Sequence, residues 1–149
     1  MISHKETRTV PYPAELMYAV VSDVEQYPEF LPWVVALRVL SRSENGLTAE
    51  MVVGYGALRE RYTSDVALDP IRHRIDVVQT KGPFNTLENH WQFTPKDEGC
   101  EVEFSIRFEF RSRLLHGAAS HAFEKVMLKM TDAFEARAAQ LSCQPSASN

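Results

Sequence analysis

Chemistry at neutral pH usually needs a histidine, a cysteine or a carboxylate beside a suitable partner. The chain has five histidines, His4, His73, His90, His116 and His121. None stands in an HExxH spacing, and none pairs with a cysteine at a spacing that suits zinc. His90 alternates with Glu88 and Gln92, opposite Trp91 and Phe93, and reads as a solvated strand histidine. His116 and His121 fall on different faces of a helix and read the same way. Asp23 and Glu25 form a carboxylate pair, but Asp23-Val-Glu-Gln26 fits a helix capping box better than a catalytic dyad. The sequence contains no GxSxG elbow, no P-loop and no GxGxxG turn. Gly54-Tyr-Gly56 falls between two strands, where glycine serves a turn or bend. Tyr55 and Tyr62 are candidate proton donors, with nothing beside them in the sequence to activate them. The expectation is therefore a protein that is not an enzyme and that holds no metal and no cofactor.

The bulk numbers bound the rest. The 149 residues fit one domain, expected over 1–141, with 142–149 as a small polar, disordered tail. With 44% hydrophobic and 24% charged residues, the chain can bury a normal core. Cys100 and Cys143 suggest reduced thiols and a cytoplasmic protein. The first ten residues lack an apolar stretch, so no secretory leader is expected, and no apolar run is long enough to span a membrane. A net charge of −4 argues against a general nucleic-acid binder, and no DNA partner is expected.

Residues 2–10 alternate weakly and predict a polar edge strand. Pro13 opens a helix carrying Leu16, Met17, Val20 and Val21 on one stripe. The capping box then predicts a second short helix, which Pro28 and Pro32 confine to a turn or two. From Val34 to Arg111 the period is two. The predicted strands are 34–41, 47–55, 58–68, 72–80, 86–94 and a last one ending at Arg111. Asn45-Gly46 is a strong hairpin signal. In the last strand Val102, Phe104, Ile106, Phe108 and Phe110 share one face, and charged residues line the other. One apolar face and one wet face imply an antiparallel sheet covered on one side. The cover is a helix over about 114–141, roughly 40 Å long at 1.5 Å per residue. Its stripe carries Leu115, Ala119, Phe123, Met127, Met130 and Phe134. The expected class is α+β: a curved antiparallel sheet of about seven strands wrapped on a long C-terminal helix, with two short helices after the first strand.

A straight helix on a deeply curved sheet leaves space that side chains cannot fill at native density. Trp91, Phe93, Phe104, Ile106, Phe108, Phe123, Met127 and Met130 are expected to wall that space, with methionine as adaptable lining. Gly82-Pro83-Phe84, a backbone break with an apolar tip, reads as a gate. Six arginines, Arg59, Arg61, Arg72, Arg74, Arg107 and Arg111, fall on the wet face. Glu103 and Glu109 partly neutralise them.

Several of these strings occur together in one known family. Asp23-Val-Glu-Gln-Tyr-Pro-Glu-Phe-Leu-Pro-Trp33, Gly82-Pro-Phe84, Trp91-Gln-Phe93, Phe108-Glu-Phe110 and Phe134-Glu-Ala-Arg-Ala138 resemble the coenzyme Q-binding START-domain family. The resemblance runs in order over about 3–141. It implies a helix-grip fold of the START and polyketide-cyclase superfamily. It also implies that ubiquinone or another polyprenyl lipid is bound as a ligand, not as a redox cofactor, in support of respiratory electron transfer. Tyr27, Phe30, Leu31, Pro32 and Trp33 would then stand at the mouth of the cavity. Gly82, Pro83 and Phe84 would form the gate, and Trp91 and Phe93 part of the wall.

Lipid delivery would need an exposed apolar lip, to which Phe30, Leu31, Trp33 and Phe84 are assigned, and a position peripheral to the inner membrane. The same family includes ribosome-association toxins of the RatA type. For that reading Arg59, Arg61, Arg72 and Arg74 are the expected contacts with an anionic ribosome surface. A third alternative is a cyclase-like enzyme using a polar group such as Tyr62 or Asn89 inside the cavity.

Overall fold

The computed structural model describes residues 1–56 and 58–142. The side chain of Tyr55 and residues 143–149 of the expected tail, Cys143 among them, lie outside the described residues, whereas Ser142 ends the last helix. The elements run in chain order as strand β1 (Ile2–Val10), helix α1 (Ala14–Ser22) and a three-residue 3-10 turn (Val24–Gln26). Helix α2 (Tyr27–Phe30) follows, then β2 (Val34–Ser43), β3 (Gly46–Tyr55), β4 (Leu58–Asp69) and β5 (Arg74–Lys81). The chain continues as β6 (Phe84–Lys96), β7 (Gly99–Phe110) and helix α3 (Arg113–Ser142). The strands form one antiparallel sheet in the order β1-β7-β6-β5-β4-β3-β2. Six strands are thus a simple meander, and β1 closes it against β7, as its polar edge pattern suggested. The arrangement is the START/Bet v 1-like fold expected from the sequence.

Local chemistry accounts for the elements. Pro13 has extended backbone angles, and its carbonyl accepts from Leu16 N and Met17 N at 3.1 Å each, which starts α1. The stripe of α1 buries Met17, Val20 and Val21. The expected capping box is not formed. The Asp23 N–H closes α1 on the Ala19 carbonyl, and the Asp23 side chain makes no capping hydrogen bond. The Asp23 backbone carbonyl instead accepts from Gln26 N at 3.1 Å, so a 3-10 turn precedes the single turn of α2. The β2–β3 hairpin turns at Glu44-Asn45 into Gly46. There a Cβ would meet the Val66 carbonyl oxygen at 2.3 Å, so only glycine fits.

Three pairings carry register shifts: two in β2–β3, one in β4–β5 at Thr63/Ser64, and one in β6–β7 at Phe84/Thr86. Bulges bend a strand and raise its twist, and here they curl the sheet round α3. The burial of β7 alternates along its length, with Val102, Phe104, Ile106, Phe108 and Phe110 all buried on the inner face. Helix α3 buries Ala119, Met127, Thr131, Phe134 and Ala138. It is tied to β1 by Arg8, whose guanidinium contacts Asp132 at 2.8 Å and Glu135 at 2.9 Å and also pairs with Glu6. Among the described residues no helix is long and apolar enough to cross a membrane.

Candidate functional site

The concave face of the sheet and α3 do not meet everywhere. Helix α1 packs on α3 and on β5, β6 and β7 and fills the concavity at the end of these strands where Phe93 lies. Beyond α1 a cavity opens. Its enclosed volume is about 100 Å³. Its floor is the inner face of β2 to β7, its roof is α3, and the segment Val24–Val34 closes one side.

Nine of the residues expected to contact a ligand line this space. They are Tyr27, Leu31 and Trp33 from the short helical segment, Trp91, Ile106 and Phe108 from the sheet, and Phe123, Met127 and Met130 from α3. Five others do not reach it, and for all but Pro32 a packing partner accounts for the place. Phe30 packs edge-on against Tyr27 and Phe134 on the far side, with the Arg137 guanidinium 5.1 Å above its ring. Pro32 does not line the cavity, although its neighbours Leu31 and Trp33 on either side do. Phe93 faces the filled end of the sheet, with Tyr18 of α1 against its ring edge at 6.5 Å. Phe104 packs on the Trp91 ring at 4.2 Å, and Trp91 is the one that reaches the cavity.

Phe84 is the clearest departure. It is 0% exposed, stacks on Phe110 at 4.6 Å, and meets Tyr62, Phe108 and Phe123 edge-on. The Gln79 amide clamps its backbone. Oε1 accepts from Phe84 N at 3.1 Å, and Nε2 donates to the Phe84 carbonyl at 2.9 Å. Arg111 N donates to the Pro83 carbonyl at 2.9 Å. Gly82-Pro83-Phe84 is therefore a pinned turn that drives a phenylalanine into the core, not a free apolar gate. The assigned lip fails for the same reason. Leu31, Trp33 and Phe84 are buried, and Phe30 is half-covered.

Among the described residues the lining is apolar apart from four side chains. The Tyr27 hydroxyl donates to the Val21 carbonyl. The Tyr62 hydroxyl has only the Met51 sulfur, at 3.8 Å. Burial pushes both phenols well above their ordinary range, so both stay protonated. Asn89 Oδ1 accepts from Trp91 Nε1 at 3.2 Å. Ser64 was not picked out by sequence reasoning. The signal available was a lone hydroxyl in the inward set Tyr62, Ser64, Val66 of β4. The apolar floor from β2 to β5, including Leu37, Met51, Val66 and Val77, was also passed over, although the same period of two marks it.

The outer face is a lattice of paired charges. Arg61 lies 3.8 Å from Glu50, Arg72 is 3.9 Å from Asp69, and Arg74 is 2.9 Å from Asp76. Asp76 also contacts His90 at 2.5 Å, and Arg107 approaches Glu88 at 3.6 Å. Burial raises the Asp76 carboxyl, but hydrogen bonds from Arg74 and His90 outweigh it and hold the group below the usual carboxylate value. Arg59 turns back on its own turn, donating to the Gly56 and Leu58 carbonyls at 2.9 and 2.8 Å. It makes no ion pair among the described residues. No group of three His, Cys, Asp or Glu side chains there is placed to hold a metal.

Comparison with known proteins follows the geometry. Residues 10–135 match the family described as polyketide cyclase / dehydrase and lipid transport. The chain is 35% identical over 144 residues to the ribosome association toxin RatA of Rickettsia prowazekii, covering 95% of this chain and 99% of that protein. It is 34% identical over 145 residues to the mitochondrial coenzyme Q-binding protein COQ10 homolog B of Xenopus laevis, covering 94% of this chain and 59% of the frog protein. A START superfamily protein from Mycobacterium smegmatis superposes with a TM-score of 0.78 at 19% identity, covering 93% of this chain and 98% of that one, a likeness of fold alone.

Proposed function

This chain belongs to the polyketide cyclase / dehydrase and lipid transport family, and on that footing we propose that it is a non-catalytic binder of ubiquinone or a related polyprenyl lipid. The observation that carries the reading is the apolar cavity under α3, walled by Trp33, Trp91, Phe108, Phe123, Met127 and Met130. Such a space favours a ligand that is mostly hydrocarbon. Each buried CH₂ contributes about 0.8 kcal/mol, so one prenyl unit contributes roughly 3–4 kcal/mol before the costs of association. The name of the frog relative points to the same ligand class. The polar groups of the cavity suit binding better than turnover. Tyr27 and Tyr62 are held protonated, and among the described residues no carboxylate or imidazole lines the space to act as a base. The role follows from the ligand: to hold a quinone for respiratory electron transfer, in the cytoplasm and at the surface of the inner membrane.

The deciding experiment is native mass spectrometry with organic extraction, on protein purified from its own source. A prenylquinone at near-stoichiometric amounts supports the reading. An empty protein that shows no thermal shift with added quinone ends it.

The second reading is a ribosome-directed protein, and the names of several bacterial relatives favour it. Arg59, which makes no ion pair among the described residues, is the best-placed contact for an anionic surface, with the weakly paired Arg61 and Arg72 next in rank. Sedimentation with ribosomal subunits at low salt tests this, because phosphate contacts are strongest there. Cosedimentation that disappears in an Arg59→Glu, Arg61→Glu variant supports it, and none at low salt rejects it.

A further inference from the structure

Ser64 is 4% exposed, lines the cavity, and its Oγ has no hydrogen-bond partner among the described residues. A buried hydroxyl left unpaired costs about 1–3 kcal/mol, so the position calls for a reason. Local structure supplies no partner. Ser64 sits mid-strand between Ala49 of β3 and Gln79 of β5, beside the register shift at Thr63/Ser64, where the Thr63 carbonyl accepts from the Thr80 hydroxyl at 3.3 Å. The next inward residue on β4 is Tyr62, roughly 7 Å along the strand. Its hydroxyl contacts only the Met51 sulfur, a weak acceptor. Tyr27, by contrast, has its hydroxyl committed to the Val21 carbonyl, and the Asn89 oxygen is taken by Trp91. The cavity thus holds two O–H donors without a proper acceptor, side by side on one strand of an otherwise apolar floor.

We infer that Ser64, with Tyr62 beside it, receives an acceptor oxygen of the bound molecule. The ligand's oxygen-bearing head is held on β4, and its hydrocarbon lies against the apolar walls. This rests on the lipid-binding reading and adds to it the ligand's orientation and a chemical preference, a ring carbonyl or ether oxygen over plain hydrocarbon. The preference has a physical basis: a site built to hydrogen-bond a ligand atom rejects the analogue that lacks it, because the site's own buried polar group is then left unpaired.

The test uses lipid-stripped full-length protein and two probes, decylubiquinone and decylbenzene, titrated by calorimetry. Ser64→Ala is expected to weaken decylubiquinone by about tenfold and to change decylbenzene by less than about twofold. Without ligand this variant melts no lower than the parent, because it removes an unpaired hydroxyl. Tyr62→Phe is the second variant, with a loss for the quinone alone. If both probes bind and each variant affects them equally or not at all, the inference is overturned while the lipid site stands. If neither probe binds the parent protein, the lipid reading itself falls and the inference with it.

Discussion

Substituting Ala49 by leucine separates an empty cavity from a filled core by the sign of the effect. Ala49 is 5% exposed on the inner face of β3, opposite Ser64, and its methyl borders the cavity. Leucine adds three carbons. At about 0.8 kcal/mol per buried methylene the gross gain is about 2.4 kcal/mol. Ordering the longer side chain costs about 0.5–1 kcal/mol. The net gain of about 1.5 kcal/mol raises the melting temperature of lipid-free protein by about 3–6 °C for a chain of this size. In a core already at native density the same change overpacks, costs about 1–3 kcal/mol, and lowers it. The assay is thermal denaturation followed by circular dichroism, with lipid extraction in parallel. Added bulk also displaces ligand, so Ala49→Leu retains less quinone than the parent. A melting temperature that falls by several degrees, with an unchanged native spectrum and unchanged quinone content, refutes the claim that this space is free.

Phe84→Ala behaves as a core deletion and not as a gate variant: it loses about 3–5 kcal/mol, read as a lower urea midpoint, whereas a gate change alters ligand exchange rates and leaves the midpoint in place. Acid sensitivity comes in part from Glu6 and Asp76. Burial raises both carboxyls, but hydrogen bonds from His4 and Arg8, and from Arg74 and His90, outweigh it and depress them. A depressed carboxylate stabilises fully above its unfolded value of about 4, and that stability drains away as pH falls through the lower folded value. The urea midpoint of the parent therefore falls with acidification below about pH 5, more steeply than that of a Glu6→Gln, Asp76→Asn variant; equal slopes contradict this. Cys100 is fully buried, and burial, with Glu15 nearby, pushes its thiol up to about 11. In a Cys143→Ser background it stays unmodified by an aqueous thiol reagent until denaturant is added, and prompt labelling of the native protein shows the burial to be wrong.

The strands, their faces and the long helix were legible in the sequence because each depends on a short-range period. Alternation by two along Val102–Phe110 and the recurring stripe of α3 require no knowledge of the rest of the chain. Asn45-Gly46 marked its hairpin for a reason equally local. The resemblance carried by the Tyr27–Trp33 string and the later motifs placed those elements in the correct fold. Departures begin where a side chain's surroundings come from distant segments. Phe84 read as a loop tip because Gly82-Pro83 breaks the pattern before it. The register shift against β7 and the clamp from Gln79 turn it inward, and neither is visible locally.

Phe93 and Phe104 share the inner face with Trp91 and Ile106, and periodicity treats all four alike. Which of them border empty space depends on where α1 crosses the sheet, and α1 crosses at the end where Phe93 lies. Likewise the wet face was legible as a row of arginines, but the pairing of Arg61 with Glu50 and of Arg107 with Glu88 is set by cross-strand register. The sequence by itself determined which residues point into the molecule, since facing is a property of one strand or one helix. Only the tertiary structure decided which inward residues meet protein and which meet a cavity. That depends on the mismatch between a curved sheet and a straight helix, and on the few bulges and short helices that fill it unevenly.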